Sequence, residues 1–91
     1  MKWTDVKQEI NSLSQEDKTL IELTALLASI RKDKNITQKE LAEKVHVSQA
    51  QIARVENYSY APTLKTITKI ATGLNLELAF IDRSTNELVK S

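Results

Sequence analysis

The chain has 91 residues, a formal net charge of +1, no cysteine and only four aromatic side chains. It is long enough for one modest core, and the lack of cysteine excludes disulfides, thiol catalysis and thiolate metal sites. So few aromatic residues argue against nucleic-acid binding by base stacking. Because the sequence has no apolar stretch of membrane length and no signal-peptide core, we expect a cytoplasmic protein.

The first predicted element is a short amphipathic helix over residues 1–13. Its apolar stripe is formed by Trp3, Val6, Ile10 and Leu13, which recur at intervals of three, four and three residues. A helix this short is marginal alone, so the stripe must pack on something. Periodicity leaves two possibilities open, namely the protein's own core or a partner protein.

A longer helix follows, capped by Ser14 with Asp17 and running to about Lys34. Its expected core face consists of Leu20, Leu23, Leu27 and Ile30, widened by Ile21, Leu26 and Ala28. The basic residues Arg31, Lys32 and Lys34 cluster at its C-terminal end, where they suit the helix dipole.

Residues 37–57 predict two short helices joined by a tight turn. Thr37 with Glu40, and Ser48 with Gln51, each match a capping box, and the two boxes begin eleven residues apart. Apolar residues before each cap complete two hydrophobic staples, Ile36 with Leu41 and Val47 with Ile52. His46 lies where the turn needs a left-handed residue, which histidine tolerates better than most side chains do. This arrangement predicts a helix-turn-helix.

The last predicted helix begins near Thr63, after Ala61-Pro62, and places Gly73 as its terminating residue. Residues 76–81 then alternate, so Leu76, Leu78 and Phe80 are expected on one face of a strand, with Leu88-Val89 as a possible return strand. An isolated strand exposes an edge, and pairing with a second copy through these three residues, or with the sheet edge of a partner protein, would cover it.

The expected fold is therefore mainly α, with five helices and a short C-terminal strand or hairpin. Residues 1–13 form the N-terminal amphipathic helix, residues 14–75 the helix-turn-helix DNA-binding domain, and residues 76–91 the strand or hairpin expected to mediate dimerisation. Residues 1–30 carry a net charge of −2, residues 31–70 of +4 and residues 71–91 of −1. The positive charge thus lies on the predicted helix-turn-helix, as attraction to phosphate requires.

Three outward residues of the second motif helix are expected to contact base edges. Gln49 suits adenine, Ala50 offers a methyl group to thymine, and Arg54 can reach guanine. Expected phosphate contacts are Gln38, Lys39, Ser48, Gln51 and Asn57, with Lys65 and the loop Tyr58–Tyr60 as weaker candidates. His46 lacks the partners that a metal or catalytic site needs, so neither an enzyme nor a cofactor is expected.

The stretch from about Arg31 to Leu74 resembles the Cro/C1-type (XRE) helix-turn-helix family in ITQKELAEKV, VSQAQIARVEN and APTLKTITKIATGL. Two features depart from the family pattern. His46 replaces the usual turn glycine, and Asn57-Tyr58-Ser59-Tyr60 replaces the usual glycine-bearing loop. The resemblance implies binding of double-stranded DNA.

The whole chain resembles HigA-type antitoxins of toxin–antitoxin modules. That resemblance implies a dimer that represses its own operon and neutralises a RelE/HigB-like ribonuclease toxin. Because a homodimer carries two recognition helices, its operator is expected to be an inverted repeat. The apolar stripe of Trp3, Val6, Ile10 and Leu13 has the spacing of helix-in-groove recognition, so these residues are the expected toxin-binding anchors. A toxin that holds RNA is expected to be basic, and the acidic residues 1–30 would complement it. The alternatives are a stand-alone XRE-type repressor without a toxin and an interaction module that has lost DNA binding. The local basic charge argues against the last.

Overall fold

A computed structural model describes residues 14–89, which form four helices and a small hairpin. The helices are α1 (Gln15–Asp33), α2 (Gln38–Val45), α3 (Gln49–Glu56) and α4 (Leu64–Gly73), and the strands are β1 (Ile81–Asp82) and β2 (Glu87–Leu88). The first of the five predicted helices, with Trp3, Val6, Ile10 and Leu13, lies outside the described residues. Between residues 14 and 89, no helix has both the length and the apolar character needed to cross a membrane.

All four helices begin with the same device, a hydroxyl side chain that accepts a hydrogen bond from the backbone N–H three residues later. The caps are Ser14, Thr37, Ser48 and Thr63. At α2 the predicted capping box is complete, because the Glu40 carboxylate also accepts from the Thr37 N–H at 3.1 Å, and this bond lowers the pKa of Glu40. At α3 only the Ser48 half forms, and within residues 14–89 the Gln51 side chain makes no return bond to it.

Each helix is followed by a residue in the left-handed conformation that lets the chain turn away. These residues are Asn35, His46, Tyr58 and Asn75, all with φ between 53° and 61°. The predicted left-handed His46 is confirmed, at φ 61°. After α1, α3 and α4 the turn also contains the paired backbone hydrogen bonds of a Schellman motif, which satisfy the last helical carbonyls.

Gly73 lies at the end of the last helix, as predicted, but it is the last helical residue of α4 and not the left-handed residue that follows the helix. Asn75 takes the left-handed conformation. A side chain at Gly73 would place its Cβ 2.4 Å from Val45 Cγ1 and 2.8 Å from Leu41 Cδ1. The glycine is therefore needed for close contact between α4 and α2.

The core lies where α2, α3 and α4 meet, with α1 packed against α3. Its largest fully buried apolar side chains are Leu41, Ile52, Val55 and Leu74, while Leu20, Leu23 and Ile30 of α1 are only partly buried against it. Leu26, predicted as part of the core face, is instead exposed. The same helix buries a polar residue, Thr24, whose hydroxyl donates to the Ile21 carbonyl at 3.1 Å.

The predicted strand over residues 76–81 was largely wrong. Regular pairing is limited to Ile81 with Leu88 and Asp82 with Glu87. Leu76 is turned back onto the core by the Schellman motif at Asn75 and is partly buried there, whereas Leu78 and Phe80 are exposed. Dimerisation through Leu76, Leu78 and Phe80 stays a prediction.

Candidate nucleic-acid interface

The motif α2–turn–α3 presents one side of α3 to solvent. Ile52 and Val55 are buried on the inner side, whereas Gln49, Ala50 and Arg54 are exposed on the other. Eight residues make this helix about 12 Å long, and it is held against α2 by the turn through His46. The three predicted base-contacting residues therefore lie together on the exposed side of a short helix that is fixed from behind.

An ion pair that the sequence analysis missed fixes the C-terminal end of α3. The Arg31 guanidinium donates to both carboxylate oxygens of Glu56, with Nε–Oε2 at 2.6 Å and Nη2–Oε1 at 3.0 Å. Its Nη1 also donates to the Ile36 carbonyl at 2.6 Å. The Gln38 amide completes the network by donating to Glu56 Oε1 at 3.0 Å. One guanidinium and one carboxylate thus connect α1, the start of α2 and the end of α3.

The environment of this pair keeps Glu56 ionised. Burial raises the pKa of the carboxyl, but the hydrogen bonds from Arg31 and Gln38 and the positive charges of Arg31 and Lys32 outweigh it, so the pKa is below its ordinary value. The two side chains are only 9% and 10% exposed. Arg31 had been assigned to the helix dipole, and a partner 25 residues away gives no local signal in the sequence.

The predicted phosphate-binding residues divide between the starts and ends of the motif helices. Gln38 and Lys39 open α2, where Lys39 is exposed and Gln38 is half-buried against Glu56. Ser48 caps α3, and since its oxygen accepts from the Gln51 N–H at 3.0 Å, its hydroxyl proton can still donate. Gln51 is half-buried and Asn57 is exposed at the end of α3.

The loop after α3 is tied to the start of α1. The Tyr58 hydroxyl donates to Asp17 Oδ1 at 3.0 Å, and Asp17 in turn belongs to the Ser14 cap. Partial burial together with the hydrogen bond to Asp17 raises the pKa of Tyr58. Next to it, the Ser59 hydroxyl donates to Asn57 Oδ1 at 2.6 Å, and the Asn57 side chain is exposed. No local pattern predicted the contact between Tyr58 and Asp17, which are 41 residues apart in the chain.

The structure shows which charged residues between 31 and 70 are already paired within the protein. Residues 31–70 contain eight Lys or Arg and four acidic residues, and Arg31 and Glu56 neutralise each other. Lys34 is also engaged, because its ammonium donates to the Leu74 carbonyl at 2.5 Å. Lys39 and Arg54 are exposed on the motif helices and make no ion pair within residues 14–89. The helix α3 is short, packs against the domain on its inner side, exposes polar residues on its other side and has basic residues nearby. These are the features of a DNA-binding helix-turn-helix protein.

Comparison with known proteins gives the same class. The family model for Helix-turn-helix matches residues 27–81. Because the match covers more than half of the chain, the protein belongs to this family, and it is a DNA-binding regulator of the XRE type. The family is one of transcriptional regulators rather than of enzymes.

Individual relatives come from phage and bacterial control systems. The chain is 32% identical over 68 residues to the "ImmF control region 10 kDa protein" of Bacillus phage phi105, covering 75% of this chain and 76% of that protein. A chain of the HipA-HipB-O2-O3 complex matches with a TM-score of 0.65 and 33% identity, covering 69% of this chain and 89% of its own length. A chain of the "Toxin-Antitoxin module from Streptococcus pneumoniae" matches at TM-score 0.61 and 32% identity, covering 90% and 93%.

Proposed function

We propose that the protein is a sequence-specific DNA-binding antitoxin, which represses its own operon and neutralises a RelE/HigB-like ribonuclease toxin. The observation that supports specific DNA binding most strongly is that Gln49, Ala50 and Arg54 are all exposed on α3. Gln49 presents an amide able to pair with adenine, Ala50 a methyl group for thymine, and Arg54 a guanidinium for the O6 and N7 atoms of guanine. The network at Glu56 supports this role by fixing the helix that carries them.

The test compares Arg54→Ala with Lys39→Ala, since each variant removes one exposed positive charge. Arg54→Ala should cost about 1–3 kcal/mol on the operator and relax preference at one base-pair position. Lys39→Ala should weaken binding to all sequences alike and reduce the salt slope by about 0.9 for each half-site, because this variant removes a phosphate contact. Titrations of operator and random DNA at several salt concentrations measure both effects. If Arg54→Ala lowers the affinity for operator and random DNA equally, Arg54 contacts phosphate and not a base.

The remaining predicted phosphate contacts are Gln38, Ser48, Gln51 and Asn57. Gln38 and the Ser48 cap lie at helix N-termini, where backbone N–H groups and the helix dipole favour an anion. Gln38→Ala should weaken binding to all sequences while leaving base preference unchanged. Because this variant also removes the hydrogen bond to Glu56, its melting temperature must be measured beside its affinity. A changed preference at a single base pair would contradict the proposal for Gln38.

Two observations support the antitoxin half of the proposal. The similarity to the chain from a toxin–antitoxin module spans 90% of this protein, whereas the family model covers only residues 27–81. Residues 1–30 carry a net charge of −2, which suits a basic, RNA-binding partner. In this proposal Trp3, Val6, Ile10 and Leu13 provide the apolar contact with the toxin, on the strength of their sequence spacing.

The corresponding experiment is co-expression of the chain with the gene beside it, with bacterial growth as the measurement. Rescue of growth by the wild type and its loss in the double variant Val6→Asp/Ile10→Asp would support the proposal. Thr4→Asp/Gln8→Asp adds the same two charges at the same spacing on polar positions and is the matched control. If the apolar double variant still rescues growth, or also loses operator binding and thermal stability, the stripe does not serve to bind the toxin.

The alternative is a stand-alone XRE-type repressor without a toxin. The similarity to the ImmF control region protein of a Bacillus phage favours it, because that relative is named for a phage control region and not for a toxin–antitoxin module. The same co-expression experiment separates the two functions. A neighbouring gene whose product does not slow growth would leave repression as the function and remove the antitoxin role.

A further inference from the structure

The turn that ends α3 contains a residue that its backbone conformation does not explain. Between residues 14 and 89, five non-glycine residues have a positive φ, and four of them are Asn or His, side chains that tolerate the left-handed region better than most. The fifth is Tyr58, at φ 53°. Bulky side chains are uncommon in that region, and such a residue persists only where the surrounding structure holds it.

The side chain of Tyr58 accounts for its presence. Its hydroxyl donates to Asp17 Oδ1 at 3.0 Å, and the other carboxylate oxygen of Asp17 accepts from the Ser14 hydroxyl at 2.9 Å. An asparagine at position 58 would suit the backbone better, but its shorter side chain would not reach Asp17. The tyrosine therefore serves a contact with α1 that the residues usual in a left-handed turn could not make.

The backbone around Tyr58 connects this contact to the end of α3. The Ser59 N–H donates to the Arg54 carbonyl at 2.9 Å and the Tyr58 N–H donates to the Val55 carbonyl at 3.1 Å, so both residues close the last turn of the helix. The Ser59 hydroxyl also donates to the side chain of Asn57 at 2.6 Å. A change in the backbone at Tyr58 would therefore move Asn57 and loosen the turn that carries Arg54.

Asp17 holds this turn from a rigid support. It lies in the first turn of α1, whereas Arg31, which pairs with Glu56, lies in the last turn. The two residues are 14 positions apart, which corresponds to about 21 Å along the helix. The end of α3 is thus held from two widely separated points of α1, and Asp17 is the point that fixes the loop.

We propose that Asp17 and Tyr58 are positioning residues for DNA binding, which hold Asn57 and the end of α3 in the arrangement that contacts the DNA backbone. The inference rests on the proposed role of α3 and its loop in DNA binding, and it adds a residue of α1 that lies outside the predicted contact set. Phosphate contacts fix the register of a protein on DNA without reading the sequence. Loss of the Asp17–Tyr58 contact should therefore weaken binding to operator and random DNA alike.

Electrostatics alone gives the opposite expectation for Asp17. Removing an acidic side chain makes the protein more positive, which favours binding to DNA. Positioning predicts instead that Asp17→Ala weakens binding in spite of this gain. The matched control is Glu16→Ala, because Glu16 is an exposed acidic residue in the same turn of α1 and its side chain makes no hydrogen bond or ion pair within residues 14–89. Asp17→Asn removes the same charge but keeps an oxygen that can accept from Tyr58.

The test measures the affinity of the full-length chain and its variants for operator and random DNA, at a temperature well below the melting transitions seen by circular dichroism. Asp17→Ala and Tyr58→Phe should each weaken binding by about 2- to 10-fold for each half-site, the fold-change that corresponds to one hydrogen bond. Glu16→Ala and Asp17→Asn should bind at least as tightly as the wild type. Because both weakened variants break the same bond, the double variant Asp17→Ala/Tyr58→Phe should be no weaker than the weaker single variant.

The variant Tyr58→Asn separates positioning from a purely structural role. Asparagine tolerates the left-handed conformation, so the better backbone fit offsets the lost hydrogen bond and the melting temperature should stay close to that of the wild type. Its affinity for DNA should nevertheless fall as far as that of Tyr58→Phe. A purely structural role predicts that affinity follows the folded fraction, which is close to one for every variant well below its melting transition.

Three results would overturn the positioning proposal. One is an Asp17→Ala chain that binds DNA as tightly as Glu16→Ala. Another is a double variant in which the losses of the two single variants add. The third is a Tyr58→Asn chain that binds DNA like the wild type. A wild-type chain that binds neither operator nor random DNA would reject the proposed function itself, so failure of the function and failure of the positioning role are distinguishable.

Discussion

Replacement of Arg31 by methionine should destabilise the protein more than any surface substitution in the helix-turn-helix. The guanidinium donates two hydrogen bonds to Glu56 and one to the Ile36 carbonyl, and both side chains of the pair are about nine-tenths buried. Methionine fills similar space but removes the charge that pairs with the Glu56 carboxylate, leaving only the positive charge of Lys32, which forms no ion pair with it. Breaking a buried pair in this way typically costs about 3–5 kcal/mol.

The structure places the expected loss near the lower end of that range. Gln38 still donates to Glu56 in the variant, and the small residual exposure lets water reach the carboxylate. A loss of about 3 kcal/mol is a large part of the roughly 5–14 kcal/mol expected for a chain of this length. It corresponds to a melting temperature lower by about 12–24 °C.

Urea and thermal unfolding followed by circular dichroism measure this effect. The double variant Arg31→Met/Glu56→Leu should recover most of the loss, because no unpaired charge remains. Arg31→Lys should fall between wild type and Arg31→Met, since lysine keeps the charge without the planar fork. The pair would not be a buried contact that depends on charge if Arg31→Met lowered the free energy of unfolding by less than about 1 kcal/mol. A double variant less stable than Arg31→Met would contradict it as well.

The same pair predicts a pH dependence. Because the pKa of Glu56 is lowered on folding, its contribution to stability is fully present above the ordinary glutamate pKa of about 4.3. The contribution is lost as the pH falls through the lower pKa of the folded chain. The difference in unfolding free energy between wild type and Glu56→Gln should therefore be largest near neutral pH and shrink in acid. A difference that grows in acid would contradict the assigned direction.

Three further predictions test local features of the fold. Gly73→Ala should destabilise by about 1–2 kcal/mol in chemical unfolding, because the clash with Val45 outweighs the gain in helix propensity; a stabilised variant would contradict it. His46→Val should be about 1–2 kcal/mol less stable than His46→Gly, since a β-branched residue resists positive φ; equal melts would show that the turn has another conformation. Tyr58→Phe should weaken binding to operator and random DNA alike by freeing the loop that holds Asn57, and unchanged affinity would remove that role.

Sequence alone determined the features that depend on neighbouring residues. The starts of the helices follow from hydroxyl residues three positions before their N–H donors, and the left-handed turn at His46 follows from the limited space between two caps. The buried face of the motif also follows, since Leu41, Ile52 and Val55 recur at helical spacing. The family and the DNA-binding class could therefore be predicted from local sequence patterns.

Only the tertiary structure decided the contacts between residues far apart in the chain. Arg31 and Glu56 are 25 positions apart, and each taken alone fits a solvated helix end. Leu76, Leu78 and Phe80 alternate with a period of two in the sequence, but the turn at Asn75 directs Leu76 against the core, where it is partly buried. Gly73 was expected to be the left-handed residue after the last helix, but the structure shows that it is needed for close contact with α2. Hydrophobic periodicity and helix capping depend on residues that are a few positions apart in the chain. Ion pairs, close helix contacts and exposed grooves depend instead on which surfaces the fold brings together.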